Sequence, residues 1–175
     1  ITGAGLWFDA GGMGGGKDNT IHANVIHHCG ADGVRLEDGE GNEVLSNTIH
    51  HVMTNSADDG AAIYLLEQKK AVVRGNHLYA NGPDDGDNGY RAAVYVTGTH
   101  DLKNEITGNT IHDIVADVVL YANSEITPDV AYNALCAQAA GAYELRNTTT
   151  VEAEAGRNYW STNTPPTGNI SGPAN

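Results

Sequence analysis

One short phrase recurs along this chain: Ala23-Asn24-Val25-Ile26-His27-His28, Ser46-Asn47-Thr48-Ile49-His50-His51, Gly75-Asn76-His77-Leu78-Tyr79-Ala80 and Gly108-Asn109-Thr110-Ile111-His112-Asp113. Weaker echoes follow at Asn133-Ala134-Leu135-Cys136 and Asn158-Tyr159-Trp160. Successive asparagines of the series lie 23, 29, 33, 24 and 25 residues apart. A base period in the low twenties with two enlarged members is the pattern of a solenoid with loop insertions. Each repeat is then one turn of a coil and buries its apolar side only against its neighbours.

A second apolar run precedes each phrase: Gly5–Asp9, Gly33–Glu37, Ala62–Leu66, Ala93–Thr97, Asp117–Tyr121 and, more weakly, Ala142–Arg146. These runs are short, alternate in polarity and are rich in Val, Ile, Leu and Tyr, so they read as strands. Helix is disfavoured, because 22 glycines and the Asn/Asp punctuation interrupt any stretch long enough for a 3.6-residue period. The expectation is an all-β coil of about six parallel rungs. Asparagine tolerates left-handed turns and hydrogen-bonds locally, so the repeated asparagines are expected to sit in tight turns as structural residues.

The Gly-apolar-x-apolar strand followed by x-Gly/Ser-Asn-x-Ile resembles the right-handed parallel β-helix family, the pectate lyase-like superfamily with its polygalacturonases, alginate epimerases and NosD-like periplasmic proteins. The likeness covers roughly residues 5 to 160. It implies a right-handed, single-stranded parallel β-helix whose asparagines stack as an internal ladder. It does not single out an activity, since unrelated functions share the fold.

Length and composition fit one domain over residues 1–175, with residues 161–175 expected to form an irregular tail around Pro165 and Pro166. The chain enters its first strand abruptly, which suggests a piece of a longer or processed chain, or an N-terminal end covered by another chain. A formal charge of −13, from 9 Lys+Arg against 22 Asp+Glu, argues against nucleic acid and anionic membrane surfaces. No apolar run reaches membrane-spanning length. A neutral polysaccharide or oligosaccharide, or a glycan held through Ca2+, suits this charge better. Cys29 and Cys136 belong to the first and fifth rungs, too far apart for a disulfide. The low Lys content and the family likeness suggest a bacterial secreted or periplasmic protein.

Alternation points Leu6/Phe8, Val34/Leu36, Ile63/Leu65, Val94/Val96 and Val118/Leu120 inward. Two outward columns follow: Trp7, Arg35, Tyr64, Tyr95, Val119 and Glu144 in one; Asp9, Glu37, Leu66, Thr97, Tyr121 and Arg146 in the other. The first suggests a flat aromatic surface on which sugar rings stack, with Trp7, Arg35, Tyr64, Tyr95 and the nearby Arg91 as substrate-binding residues. In the second, Asp9 and Glu37 fall on adjacent rungs at about 5 Å, the separation of a retaining glycosidase's carboxylate pair.

Both enlarged repeats carry their extra residues before the following strand of this face, which makes a wall of loops along one edge. There, Asp58-Asp59-Gly60 resembles the acidic pair of polygalacturonases, and Ala31-Asp32-Gly33 resembles their upstream acid. Asp32, Asp58 and Asp59 are accordingly candidate acids for an inverting hydrolysis. The chain departs from that family at Gly89-Tyr90-Arg91, where the family has Gly-His-Gly. Asp84, Asp85 and Asp87 supply closely spaced oxygens and are weak candidates for Ca2+, without the full spacing of an EF-hand. Adjacent rungs would bring His27/His28 and His50/His51 within coordinating reach of Zn2+ or Cu2+, but the Ile-His pairs read first as packed rung residues rather than a metal site. The leading expectation is a polysaccharide-degrading enzyme, hydrolase before lyase or epimerase. A non-catalytic glycan- or protein-binding module and a structural or assembly protein are the alternatives.

Overall fold

The computed structural model describes residues 3–9, 16–52, 60–82, 91–98, 102–114, 118–124, 128–137, 143–147, 155–160 and 170–171. Each of the first four turns contributes three short strands. They are β1 (Leu6–Phe8), β2 (Thr20–His22) and β3 (Val25–His27); β4 (Val34–Glu37), β5 (Glu43–Leu45) and β6 (Thr48–His50); β7 (Gly60–Leu66), β8 (Val72–Arg74) and β9 (His77–Tyr79); β10 (Arg91–Gly98), β11 (Glu105–Thr107) and β12 (Thr110–Ile114). The fifth turn holds β13 (Val118–Ser124) and β14 (Asp129–Ala137), the sixth β15 (Tyr143–Asn147) and β16 (Arg157–Trp160), and β17 (Ile170–Ser171) follows.

All pairings are parallel and run from one turn to the next. The first face is a seven-stranded sheet in the order β1-β4-β7-β10-β13-β15-β17. The other strands form a second and a third face that meet in β14, which pairs with β11 through Asp129–Ala131 and with β12 from Ala134 onward. The expected parallel coil is therefore present. Ile170 and Ser171, in the segment expected to be irregular, extend the first face beside Leu145 and Arg146.

The first face sends two apolar columns inward, and the second and third faces one each. Val34, Leu36, Ile63, Leu65, Val94 and Val96 come from the first face; Ile21, Val44, Val73, Ile106 and Val130 from the second; Ile26, Ile49, Leu78, Ile111, Leu135 and Trp160 from the third. Burying one such side chain is worth roughly 1.5–3 kcal/mol, and here each is covered by its counterpart on the adjoining turns.

Tight corners separate the faces, and the left-handed residue is not where the sequence placed it. Between the second and third faces it precedes the asparagine, at Ala23, Ser46, Gly75, Gly108 and Tyr132, with φ between 53° and 66°. The asparagine itself bridges turns. Asn47 Oδ1 accepts the backbone N–H of Asn24 at 2.9 Å while its Nδ2 donates to Ile21 O at 2.9 Å. The same pattern continues through Asn76, Asn109, Asn133 and Asn158. A side chain that takes one N–H and returns one to a carbonyl of the preceding turn satisfies backbone groups that water cannot reach.

Candidate functional site

Register decides which side chains share the first face. Trp7 lies beside Arg35, Arg35 beside Tyr64, Tyr64 beside Tyr95 and Tyr95 beside Tyr121. The fifth turn corrects the expected columns: Val118 pairs with Ala92 and Leu120 with Val94, so Tyr121 and then Arg146 continue the Trp7 column in place of Val119 and Glu144. β10 and β13 are long enough that their apolar alternation alone admits a slip of two residues, which preserves inward and outward sides.

The strip is a continuous stack. The Arg35 guanidinium carbon lies 5.5 Å from the Trp7 ring centre and 4.7 Å from that of Tyr64. Tyr64 and Tyr95 stack at 5.0 Å and 5°. Rings stacked along the coil axis close their faces against each other, so Tyr64 and Tyr95 do not form the flat platform expected from the sequence. Trp7, 60% exposed, is the large aromatic of the strip that remains open to a ligand.

Carboxylates surround the arginine. Arg35 donates from Nε and Nη2 to Glu37 Oε1, each at 2.6 Å, and from Nη1 to Asp32 Oδ2 at 3.2 Å. The Trp7 indole N–H donates to Glu37 Oε2 at 3.0 Å. Both Glu37 oxygens are thus engaged. Asp32 is 1% exposed, and its Oδ1 accepts the Ala61 N–H at 2.7 Å. Burial pushes the Asp32 pKa up, against the lowering pull of that N–H and of Arg35. Burial also works against the Arg35 charge, but Glu37 and Asp32 outweigh it and raise the arginine pKa.

These contacts reassign two candidate acids. Asp32 anchors β7 to the turn before it, and its burial keeps it from a bound glycan. The glycine that follows has a packing role: a Cβ on Gly33 would stand 2.6 Å from both Ala62 O and Ile49 Cγ2. Glu37 receives three donors on its carboxylate, two from Arg35 and one from Trp7, so both of its oxygens are occupied within the protein. Asp9 is exposed, just past β1. Asp58 and Asp59, and the Ca2+ candidates Asp84, Asp85 and Asp87, lie outside the described residues. Arg91 opens β10 beside Gly60, and its side chain is likewise outside them.

Two cations that a lyase could use to hold a uronate, Lys70 and Arg74, are engaged in ion pairs. Lys70 pairs with Glu40 at 2.8 Å and Arg74 with Glu105 at 2.9 Å. Hydrogen bonds from Lys70 and Lys17 lower the Glu40 pKa, and one from Arg74 lowers that of Glu105. Cys29 and Cys136 are not joined in a disulfide.

Sequence reasoning missed a second internal ladder between the first and second faces. Asn42 Oδ1 accepts the Asn19 N–H at 3.0 Å, and Asn104 Oδ1 accepts the Ala71 N–H at 2.8 Å. The signal was present: Asn19, Asn42 and Asn104 each stand five residues before an asparagine of the first series.

No curated protein and no solved structure matches the chain. The family model described as the right-handed β-helix region matches residues 3–135. That span, most of the chain, takes in the asparagine ladder from Asn24 to Asn133 and the whole Trp7–Tyr95 strip, so the chain belongs to the right-handed β-helix family.

Proposed function

We propose that this is an exported glycan-binding protein that holds a neutral polysaccharide against the first face, with Trp7 as the stacking platform and Arg35, Tyr64 and Tyr95 as the polar strip beside it. The observation that carries this reading is the state of Trp7. The ring is exposed, yet its N–H is fixed by Glu37 and one face rests over Arg35. A platform held in place before binding loses little entropy when a sugar ring stacks on it. The net charge of −13 favours an uncharged ligand over a polyuronate.

Binding fits the described residues better than hydrolysis does. A retaining pair needs one carboxylate able to attack and another able to give up a proton, about 5 Å apart. Glu37 is neutralised by Arg35, and Asp32 is buried beneath it. Hydrolysis would require acids from the loop that ends in Asp58 and Asp59, directly before β7.

Affinity electrophoresis through a panel of neutral polysaccharides tests the proposal. At least one glycan should retard the protein, and Trp7→Ala should abolish the retardation while Tyr159→Ala, on the third face, leaves it. No retardation by any neutral glycan, or retardation unchanged in Trp7→Ala, sinks the reading. Reducing ends released by the wild type and lost in the Asp58→Asn/Asp59→Asn variant would replace binding with hydrolysis.

A further inference from the structure

The third face carries histidines outward in a regular array. His27, His50, Tyr79 and His112 occupy successive turns of one column, with ring centres 5.2, 4.9 and 5.6 Å apart and planes within 15° of parallel. His28 and His51 form a second column, stacked at 5.4 Å and 6°. Two consecutive histidines stand together because the second occupies a left-handed corner, φ 54° at His28 and 50° at His51, which breaks the two-residue alternation of a strand. Ala80 takes the same corner one turn on, so the bend belongs to the coil and the imidazoles use it.

Within each pair the rings meet nearly edge to face, and Nδ1 approaches Nδ1 at 2.8 Å. Without a metal, one ring donates Nδ1–H and the other accepts. Two nitrogens at about 2.0 Å from one ion stand about 2.8 Å apart when they subtend a right angle, and about 3.3 Å apart at a tetrahedral angle. The observed spacing is that of cis ligands on a tetragonal ion. His77 and His112 meet Nε2 to Nε2 at 2.7 Å on the same face, the same bite formed across two turns.

We propose that the imidazole pairs of the third face bind divalent transition-metal ions of tetragonal preference, Cu2+ or Ni2+, at two places: the His27/His28/His50/His51 array and the His77/His112 pair. Among the described residues no three His, Cys, Asp or Glu side chains converge on one point, so each ion is held by cis pairs with water completing its shell. Binding moves the proton shared at Nδ1 to Nε2 of the same ring, and at His77/His112 the proton shared at Nε2 to Nδ1. Both rings remain neutral and no proton is released. Ions on adjacent turns would stand about 5 Å apart and repel, which limits the four-histidine array to one. This proposal does not depend on the glycan reading.

Cu2+ is the probe, because its electron paramagnetic resonance spectrum reports the ligand atoms. At neutral pH the wild type should take up two ions and show an axial signal split by nitrogen. His27→Gln/His50→Gln should take up one, adding His77→Gln should leave none, and His22→Gln on the second face should change nothing. Oxygen-only ligation in the wild type overturns the proposal even if a variant fails to fold. So does a stoichiometry that the double substitution leaves unchanged, and Zn2+ binding tighter than Ni2+ overturns the tetragonal geometry.

Discussion

At the corner between the second and third faces each of six turns supplies an asparagine, and Asn24, Asn47, Asn76, Asn109, Asn133 and Asn158 bond from one to the next. At the corner between the first and second faces the third turn has Ala71 where the ladder calls for an amide, and Gln68 reaches in from three residues earlier. Its Oε1 accepts from Asn42 Nδ2 at 2.9 Å, and its backbone carbonyl accepts from Asn104 Nδ2 at 2.9 Å. The repair is incomplete. Gln68 Nε2 is the one buried side-chain nitrogen or oxygen without a hydrogen-bond partner among the described residues. Register thus depends on a single complete ladder, and a second corner can deviate while the first holds.

The unbroken ladder is where the largest loss is expected. Asn76→Ala removes the acceptor of the Asn47 N–H, at 2.8 Å, and the donor to Val44 O, also at 2.8 Å. Two buried backbone groups are left without partners, a cost of roughly 2–6 kcal/mol. Urea denaturation should show the midpoint fall accordingly. A loss no larger than that of an exposed substitution would mean that the ladder does not hold the turns together.

At the interrupted corner the same chemistry should be recoverable. Gln68→Ala costs about 1–2 kcal/mol, since Asn42 Nδ2 keeps its bond to Gly16 O at 2.7 Å and the orphaned Nε2 disappears with the side chain. Adding Ala71→Asn should return most of that loss by completing the Asn42–Asn104 ladder. Denaturation of the single and double variants measures the difference. If the double variant is the less stable of the two, the corner cannot accept an asparagine on that turn, and Gln68 is a requirement of its shape.

The coil itself was legible in the chain, because Asn-x-Ile fixes one corner and one inward residue per turn and the apolar runs fix the first face. The strip was legible as far as Tyr95, where β7 and β10 align as the phrase count suggests. Beyond it the count failed. β13 is seven residues long, and alternation cannot choose between Val119 and Tyr121 as the partner of Tyr95. The chemistry of the acids was less legible still. Asp32 and Glu37 read as reactive carboxylates because sequence shows neither that Asp32 is buried nor that Arg35 reaches both.

Among the described residues the two asparagine corners carry no histidine, whereas the third face is lined with imidazoles, so acid separates these regions. Burial is the leading cause that lowers the pKa of His50 and of His77 below the ordinary value of 6.5; charge on neighbouring histidines adds to it. The unfolded chain therefore takes up protons at these positions before the folded one does. Stability from keeping the rings neutral is fully present above about 6.5 and is lost as pH falls through the lower folded values. The loss should be the smallest of the three effects, because both rings remain in contact with solvent. Thermal melts across this range should show stability falling on acidification, with less change in His50→Gln/His77→Gln. Hydrogen exchange supplies the sharper reading: amides of β6 and β9 should lose protection before those of β5 and β8. Equal loss on both faces would mean that acid acts on the coil as a whole and not through the histidine stack.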